Sequence, residues 1–312
     1  MKTIAVEEHF KNGEMQPVSF YSPDVNKRMH DLGADRLADM ERAGIDMQVL
    51  QYAGVAIQSM DAADGSVAAR DSNDFLAELV KAHPDHYAGL VQLALKDPDG
   101  SAKELERGVT KLGLKGAVWS GTLNGVFLDD SRFEPVLAAA EQLDVPIYIH
   151  PGLLSAEAKK VSFSGLPEKT VQVLSMAAWG WHAEVAVSSI RLVAAGIFDR
   201  HPNLKIVIGH LGEFLPVALA RIDTWMTPET TEMKQSAAEY FHNNFALAVS
   251  GYFDPVAFQC AKAAFGMDSI MFGVDYPFVS NMEGRRFLDT IELGQTDMEK
   301  LTHINAERIF KL

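Results

Sequence analysis

Short runs rich in β-branched and apolar residues alternate along this chain with longer segments of helical period, the pattern of repeated βα units around a parallel sheet. Eight such runs can be marked: Thr3 to Glu7, Met47 to Gln51, Ala88 to Gln92, Gly116 to Val118, Pro146 to His150, Lys205 to Gly209, Ala246 to Ser250 and Ser269 to Gly273. Between them the spacing predicts helices over Ala34 to Ala43, Ala68 to Ala82, Ser101 to Leu112, Phe133 to Leu143, Glu184 to Ala195, Pro216 to Trp225, Pro255 to Phe265 and Phe287 to Leu293. Turn chemistry supports these limits. Asp254-Pro255 puts an acceptor at a helix N-cap and proline in its first turn, and Gly266 ends the same helix. Eight βα units point to an α/β fold of the TIM (β/α)8 barrel type. A dinucleotide-binding open sheet is disfavoured, because no G-x-G-x-x-G turn follows the first run. A polar segment from Lys11 to Gly33 stands there instead, carrying Phe20, Tyr21 and Pro23, and it reads as a loop over a pocket.

Composition narrows the class. No low-complexity stretch or Gly/Ser linker interrupts the 312 residues, so one domain spanning 1–312 is expected, a length that barrels commonly reach. Hydrophobic residues at 47% with charged ones at 22% describe an ordinary globular protein. The apolar runs are too short to cross a bilayer and the N-terminus lacks a basic region before an apolar core, so membrane association is not expected and a cytoplasmic location is. The lone Cys260 excludes an internal disulfide and a cysteine zinc knuckle. A net charge of −14 argues against nucleic acid as partner, while leaving room for a small anionic substrate beside a local cation.

In a barrel of this kind, reactive groups stand at the C-terminal ends of strands. Glu7 and His9 close the first run, one residue apart, so that an extended strand would turn both to one face and Glu8 to the other. His150 ends the fifth run, His210 follows the sixth and Asp275 the eighth. Three histidines and two carboxylates at equivalent positions of separate strands suggest a metal centre built from His, Asp and Glu. His182, in Trp179-Gly-Trp-His182, is a further candidate for lining the pocket; His30, His83, His86, His201, His242 and His303 show no strand-end pattern.

The motifs Val6-Glu-Glu-His-Phe10, Ile147-Tyr-Ile-His-Pro151, Ile208-Gly-His-Leu-Gly-Glu213 and Gly273-Val-Asp-Tyr-Pro-Phe278 resemble the amidohydrolase-superfamily branch of metal-dependent decarboxylases. That branch includes the γ-resorcylate (2,6-dihydroxybenzoate), 5-carboxyvanillate and aminocarboxymuconate semialdehyde decarboxylases. The resemblance runs over essentially the whole chain, to Asn305-Ala-Glu-Arg-Ile-Phe310. It implies one divalent ion, Zn²⁺ or Mn²⁺, held by Glu7, His9, His150 and Asp275, with His210 and Glu213 as a catalytic dyad beside it. It implies a small carboxylic acid substrate with an ortho hydroxyl or a similar shape, contacted by Arg221, Phe20, Ser120 and Phe278. The ring carbon would be protonated first, with Asp275 as the acid and His210 taking or holding the phenolic proton, and carbon dioxide would leave from the dearomatised intermediate. A homodimer or homotetramer is implied, with Arg221 a candidate to reach a neighbour's pocket. The alternative on the same scaffold is hydrolysis of a lactone or ester by a metal-activated water. Two positions depart from the resorcylate pattern, Gly152 after His-Pro and Ser120 in place of a fourth-strand asparagine, and both are expected to face the pocket. No lysine ends the fourth run, Lys115-Gly-Ala-Val118, which speaks against a carbamate-bridged binuclear centre.

Overall fold

The computed structural model describes residues 1–12, 22–53 and 56–312, and within them the predicted barrel is present. Its strands are β1 (Ile4–Phe10), β2 (Met47–Tyr52), β3 (Tyr87–Gly89), β4 (Val91–Gln92), β5 (Ala117–Ser120), β6 (Ile147–His150), β7 (Ile206–Ile208), β8 (Phe245–Ala248) and β9 (Ile270–Met271). Every pairing is parallel, in the orders β1-β2-β3 and β4-β5-β6-β7-β8-β9. β3 and β4 are the two halves of one stave broken at Leu90. The Leu90 amide donates to the Leu50 carbonyl on one side, at 2.9 Å, and the next amide, of Val91, donates to Gly116 on the other, at 2.8 Å. Closure comes at the opposite seam, where Val6 N–H donates to the Phe272 carbonyl at 3.0 Å and His9 N–H to that of Tyr276 at 2.7 Å. A parallel ring with these eight staves is the TIM barrel.

Two apolar layers follow from strand alternation. Ile4, Val6, Val49, Leu90, Val118, Tyr148, Val207, Ala248 and Met271 fill the barrel interior, while the other face of each strand packs under the surrounding helices. The lower end is plugged by the final helix, Asn305–Phe310: Ala306 and Phe310 join the interior layer, and Asn305 Nδ2 donates to the carbonyls of Met267 and Ile270 at 2.7 and 2.8 Å. Truncating a ring buried like that of Phe310 costs about 3–5 kcal/mol. The bottom is therefore structural, and the polar strand ends gather at the top.

Several expected limits shift. Helix Ala62–Ala82 starts six residues before the predicted Ala68, and Asn281–Thr290 replaces the predicted Phe287 to Leu293 because Ser280 and Glu283 form a capping box that starts the helix early. The segment read as a loop from Lys11 to Gly33 contains helix Pro23–His30, capped by Ser22, while Phe20 lies outside the described residues. Among further short helices, Ala156–Phe163 and Glu168–Leu174 are mostly exposed and carry no apolar stripe, whereas Ala237–Asn244 buries Ala237, Tyr240 and Phe241 on one face and was missed. Among the described residues no helix is long and apolar enough to cross a membrane.

Candidate metal centre and catalytic pocket

The first stave is not a regular strand at the position that matters. Val6 pairs with Val49, yet Glu8 pairs with Leu50, so Glu7 is an extra residue, a β-bulge, with φ of 71°. Strict alternation from the inward Val6 would send His9 outward. The bulge resets it, bringing both Glu7 and His9 to the mouth and turning Glu8 toward the helix layer. Glu8 points away from the site, as expected, and is fully buried and hydrogen-bonded there. Gly209 is required opposite: a Cβ there would lie 2.2 Å from Glu7 Oε2.

Glu7, His9, His150 and Asp275 each bring a ligand atom within 4.8 Å of the others. His9 Nε2 lies 2.9 Å from Asp275 Oδ1, and His150 Nε2 lies 3.5 Å from Glu7 Oε1. Glu7 Oε2 accepts from the Tyr148 hydroxyl, which is also 3.2 Å from Ser250 Oγ, while Oε1 is buried with no hydrogen-bond partner. Burial, helped by Glu7, pushes the Tyr148 phenol well above its ordinary pKa, so it stays a donor. His150 donates Nδ1–H to the Pro151 carbonyl at 2.7 Å, and burial, with His9 and His210 nearby, lowers its pKa to about 3. Its Nε2 therefore carries a lone pair facing the orphaned oxygen of Glu7. Two lone pairs aimed at one point, with an aspartate and a second imidazole completing the set, fit a divalent cation between them.

His210 sits beside this cluster. Its Nδ1 donates to Glu213 Oε1 at 2.7 Å, leaving Nε2 3.8 Å from Asp275 Oδ2 and 4.0 Å from Glu7 Oε1. Burial disfavours the imidazolium, but Glu213, Glu7 and Asp275 outweigh it and hold His210 well above the ordinary histidine range. Burial likewise works against the Glu213 anion, and His210 with His182 overcomes it, lowering its pKa. Burial also opposes the charge on Asp275, yet His210 and His9 hold that carboxyl down at about 2. Glu213 stands at φ 53° in the tight turn before Leu215–Trp225, within a run of left-handed residues that includes His210, Leu211 and Phe214. With Glu7, Ser250 and Asp275 also at positive φ, backbone strain concentrates at the barrel mouth.

His182, weakly signalled by the sequence, completes a triad. Its Nδ1 lies 2.5 Å from Glu213 Oε2 and its Nε2 2.7 Å from the Ala177 carbonyl, so both ring nitrogens face acceptors and the Glu213 carboxylate is shared by two imidazoles. It sits on helix Gly180–Ala194, far in sequence from any strand end, and only the Trp-rich segment around it hints at a pocket.

A cavity of about 480 Å³ opens over these groups. His150, His182, His210, Ser250 and Asp275 form its polar wall; Met176, Trp181, Phe214, Tyr252, Phe278 and Val279 line the rest. Phe278 is where it is expected, its ring 5.2 Å from that of His9. Three expectations need correction. Ser120 ends β5 in register with His150 but is buried and is not among the residues of the cavity wall. Gly152 faces Gly121, whose Cα would lie 2.6 Å from an added Cβ, so its lack of a side chain serves backbone packing. Arg221 does not reach the cavity of its own chain: it is exposed on its helix, its guanidinium 5.1 Å from the Trp225 ring, and Asp223 accepts from Ala238 N–H instead of pairing with it.

A family model described as Amidohydrolase matches residues 20–312. A γ-resorcylate decarboxylase of Rhodococcus jostii (strain RHA1) is 34% identical, with 99% of this chain and 98% of that protein aligned. Among solved structures, a 2,6-dihydroxybenzoate decarboxylase complexed with 2,6-dihydroxybenzoate superposes with a TM-score of 0.92 at 32% identity, over 99% of this chain and 98% of the other. A dihydroxybenzoic acid decarboxylase from Polaromonas sp. JS666, with bound manganese and the inhibitor 2-nitroresorcinol, gives the same TM-score and identity over 100% and 97%. With the family model covering nearly the whole chain and relatives above 30% identity aligned end to end, this protein belongs to the amidohydrolase family.

Proposed function

We infer that this protein is a metal-dependent, non-oxidative decarboxylase of a hydroxybenzoate-like acid. The observation that carries the reading is that His150 and Asp275 of the ligand cluster and His210, anchored by Glu213, share the polar wall of a cavity otherwise lined by apolar and aromatic side chains, a shape suited to a flat ring bearing its charges on one edge. The resorcylate and dihydroxybenzoate decarboxylases aligned along the whole chain support it.

Glu7, His9, His150 and Asp275 would hold a divalent ion, Mn²⁺ or Zn²⁺, which would supply a fixed positive charge to polarise the substrate. The side chains handle the proton. Asp275, ionised in the free protein, accepts the phenolic proton as the substrate docks and returns it to the ring carbon bearing the carboxylate. The carbon–carbon bond then breaks, its electron pair restores the aromatic ring, and carbon dioxide departs; a solvent proton neutralises the product. Glu213, shared with His182, anchors the His210 ring through Nδ1, so its Nε2 faces the ligand cluster and the substrate oxygen on which negative charge grows. Phe278 and the apolar wall hold the ring and exclude water.

An assembly of two or four copies fits the exposed apolar surface beside the mouth. Helix Glu168–Leu174 buries none of its residues, and Val173, Trp179, Val217 and Trp225 are all more than half exposed. Arg221 lies on this same face, where a neighbour would meet it.

Incubating the Mn²⁺-loaded protein with 2,6-dihydroxybenzoate, other hydroxybenzoates, 5-carboxyvanillate and a panel of lactones tests the activity. Carbon dioxide and the corresponding phenol are expected from at least one aromatic acid. Lactone opening with no carbon dioxide from any acid would overturn the reading in favour of a hydrolase.

A further inference from the structure

We propose that Glu8, backed by Gln48 and Arg36, is the positioning residue that fixes the height of Asp275 over the ligand cluster. Glu8 lies between two candidate ligands in sequence but faces the opposite side of the stave, where the bulge at Glu7 turns it. Its two oxygens each accept an amide from the loop after β9: Oε1 from Val274 N–H at 2.8 Å and Oε2 from Tyr276 N–H at 3.1 Å. These are the two residues that flank Asp275. Asp275 itself stands at φ 65°, a conformation that a non-glycine residue keeps only when its surroundings hold it there. One buried carboxylate therefore ties the stave carrying Glu7 and His9 to both sides of the residue that must be both ligand and acid.

The support behind Glu8 is continuous. Gln48 Nε2 lies 3.4 Å from Glu8 Oε2 and 3.3 Å from Asn281 Oδ1, and Gln48 Oε1 accepts from Arg36 Nε at 2.7 Å. Arg36, fully buried, donates through Nη1 to the His9 carbonyl at 2.8 Å and stacks its guanidinium 4.6 Å from the Tyr276 ring. The network thus touches the backbone of His9 at one end and the neighbours of Asp275 at the other. Burying such charges is a poor route to stability, since apolar side chains of similar volume often do as well. What apolar residues cannot do is aim two acceptors at two particular amides, and displacing a reacting group by about 1 Å costs on the order of 100-fold in rate. Groups behind a metal site orient its ligands in this way.

Glu8→Gln tests the assignment, and it rests on the decarboxylase reading for its activity readout alone. The substitution keeps volume but turns an NH₂ group against one of the two amide donors. Expected for the Mn²⁺-loaded variant are one ion per chain, a KM within about threefold of wild type, a kcat lower by about 100-fold, and an altered Mn²⁺ electron paramagnetic resonance line shape as Asp275 moves. A wild-type spectrum and kcat would overturn the proposal, as would an activity loss that merely tracks lost metal or lost folded protein. If Glu8→Gln does not fold, Gln48→Leu carries the test without altering charge: the same spectral change is expected with a loss of about tenfold in kcat, and wild-type behaviour would overturn it. Should wild type decarboxylate none of the acids, the function reading fails while the spectra still decide for or against Glu8.

Discussion

Replacing Glu184 by Gln removes a buried acid from the wall between the ends of β5 and β6. The side chain is 8% exposed; its carboxylate accepts the Thr122 amide, while Oε1 is buried with no partner close to Gly121. Burial raises its pKa from the ordinary 4.5 to about 7, against the smaller opposing effect of the Thr122 amide. The sign follows from linkage. Below 4.5 the group is neutral folded and unfolded, so it costs nothing; between 4.5 and about 7 the unfolded chain has ionised while the folded one keeps its proton, so rising pH favours unfolding. At about 1.4 kcal/mol per pH unit, the whole penalty is roughly 3 kcal/mol, little of it present at pH 5 and nearly all of it by pH 8. Gln presents a neutral group of the same shape and escapes the penalty. The stability of Glu184→Gln relative to wild type should therefore grow by about 2–3 kcal/mol between pH 5 and pH 8. Urea unfolding of the metal-stripped proteins, followed by tryptophan fluorescence, measures it. Glu7 and Glu8, which burial raises to about 8, destabilise both proteins alike and cancel in the difference. A difference that stays constant across that range, or shrinks, would refute the reasoning.

Chelation should abolish activity and leave the far-ultraviolet circular dichroism unchanged, because the candidate ligands come from staves already held by the barrel core; global unfolding on chelation would make the ion structural. His210→Asn should retain one ion per chain while lowering decarboxylation by about 10²–10⁴-fold, and loss of metal from that variant would make His210 a ligand. Gly209→Ala should weaken metal binding by at least about tenfold in competition with a chromophoric chelator, since the new methyl would occupy the place of Glu7 Oε2; unchanged affinity would remove Glu7 from the ligand set. Light scattering should report a dimer or tetramer, and a monomer would leave the exposed Val173, Trp179, Val217 and Trp225 without the proposed neighbour.

The chemistry at the mouth was legible because a barrel converts a one-dimensional signal into convergence: a polar residue closing an apolar run lands at one rim, whichever stave it ends. Glu7, His9, His150, His210 and Asp275 all carry that signal, and the structure brings them together. What escaped follows other rules. The bulge at Glu7 leaves no mark in the hydrophobic pattern, so an even alternation accounted for the Glu7 and His9 pair by a regular strand that is not there, and it gave no sign of the hydrogen bonds that Glu8 makes on the other face. His182 reaches the site from a helix, where a single polar residue amid apolar ones has no strand-end signature, and the short helices Ala156–Phe163 and Glu168–Leu174 lie mostly exposed, so no buried stripe announced them. Arg221 rested on the family resemblance, with a neighbour's pocket among its expected targets; which face of a helix meets the pocket is decided by packing, and here packing turns Leu215 and Leu219 inward and Arg221 out. Its reach is therefore a property of whatever covers that face, which ties any role in binding substrate to the assembly of the protein and not to the single chain.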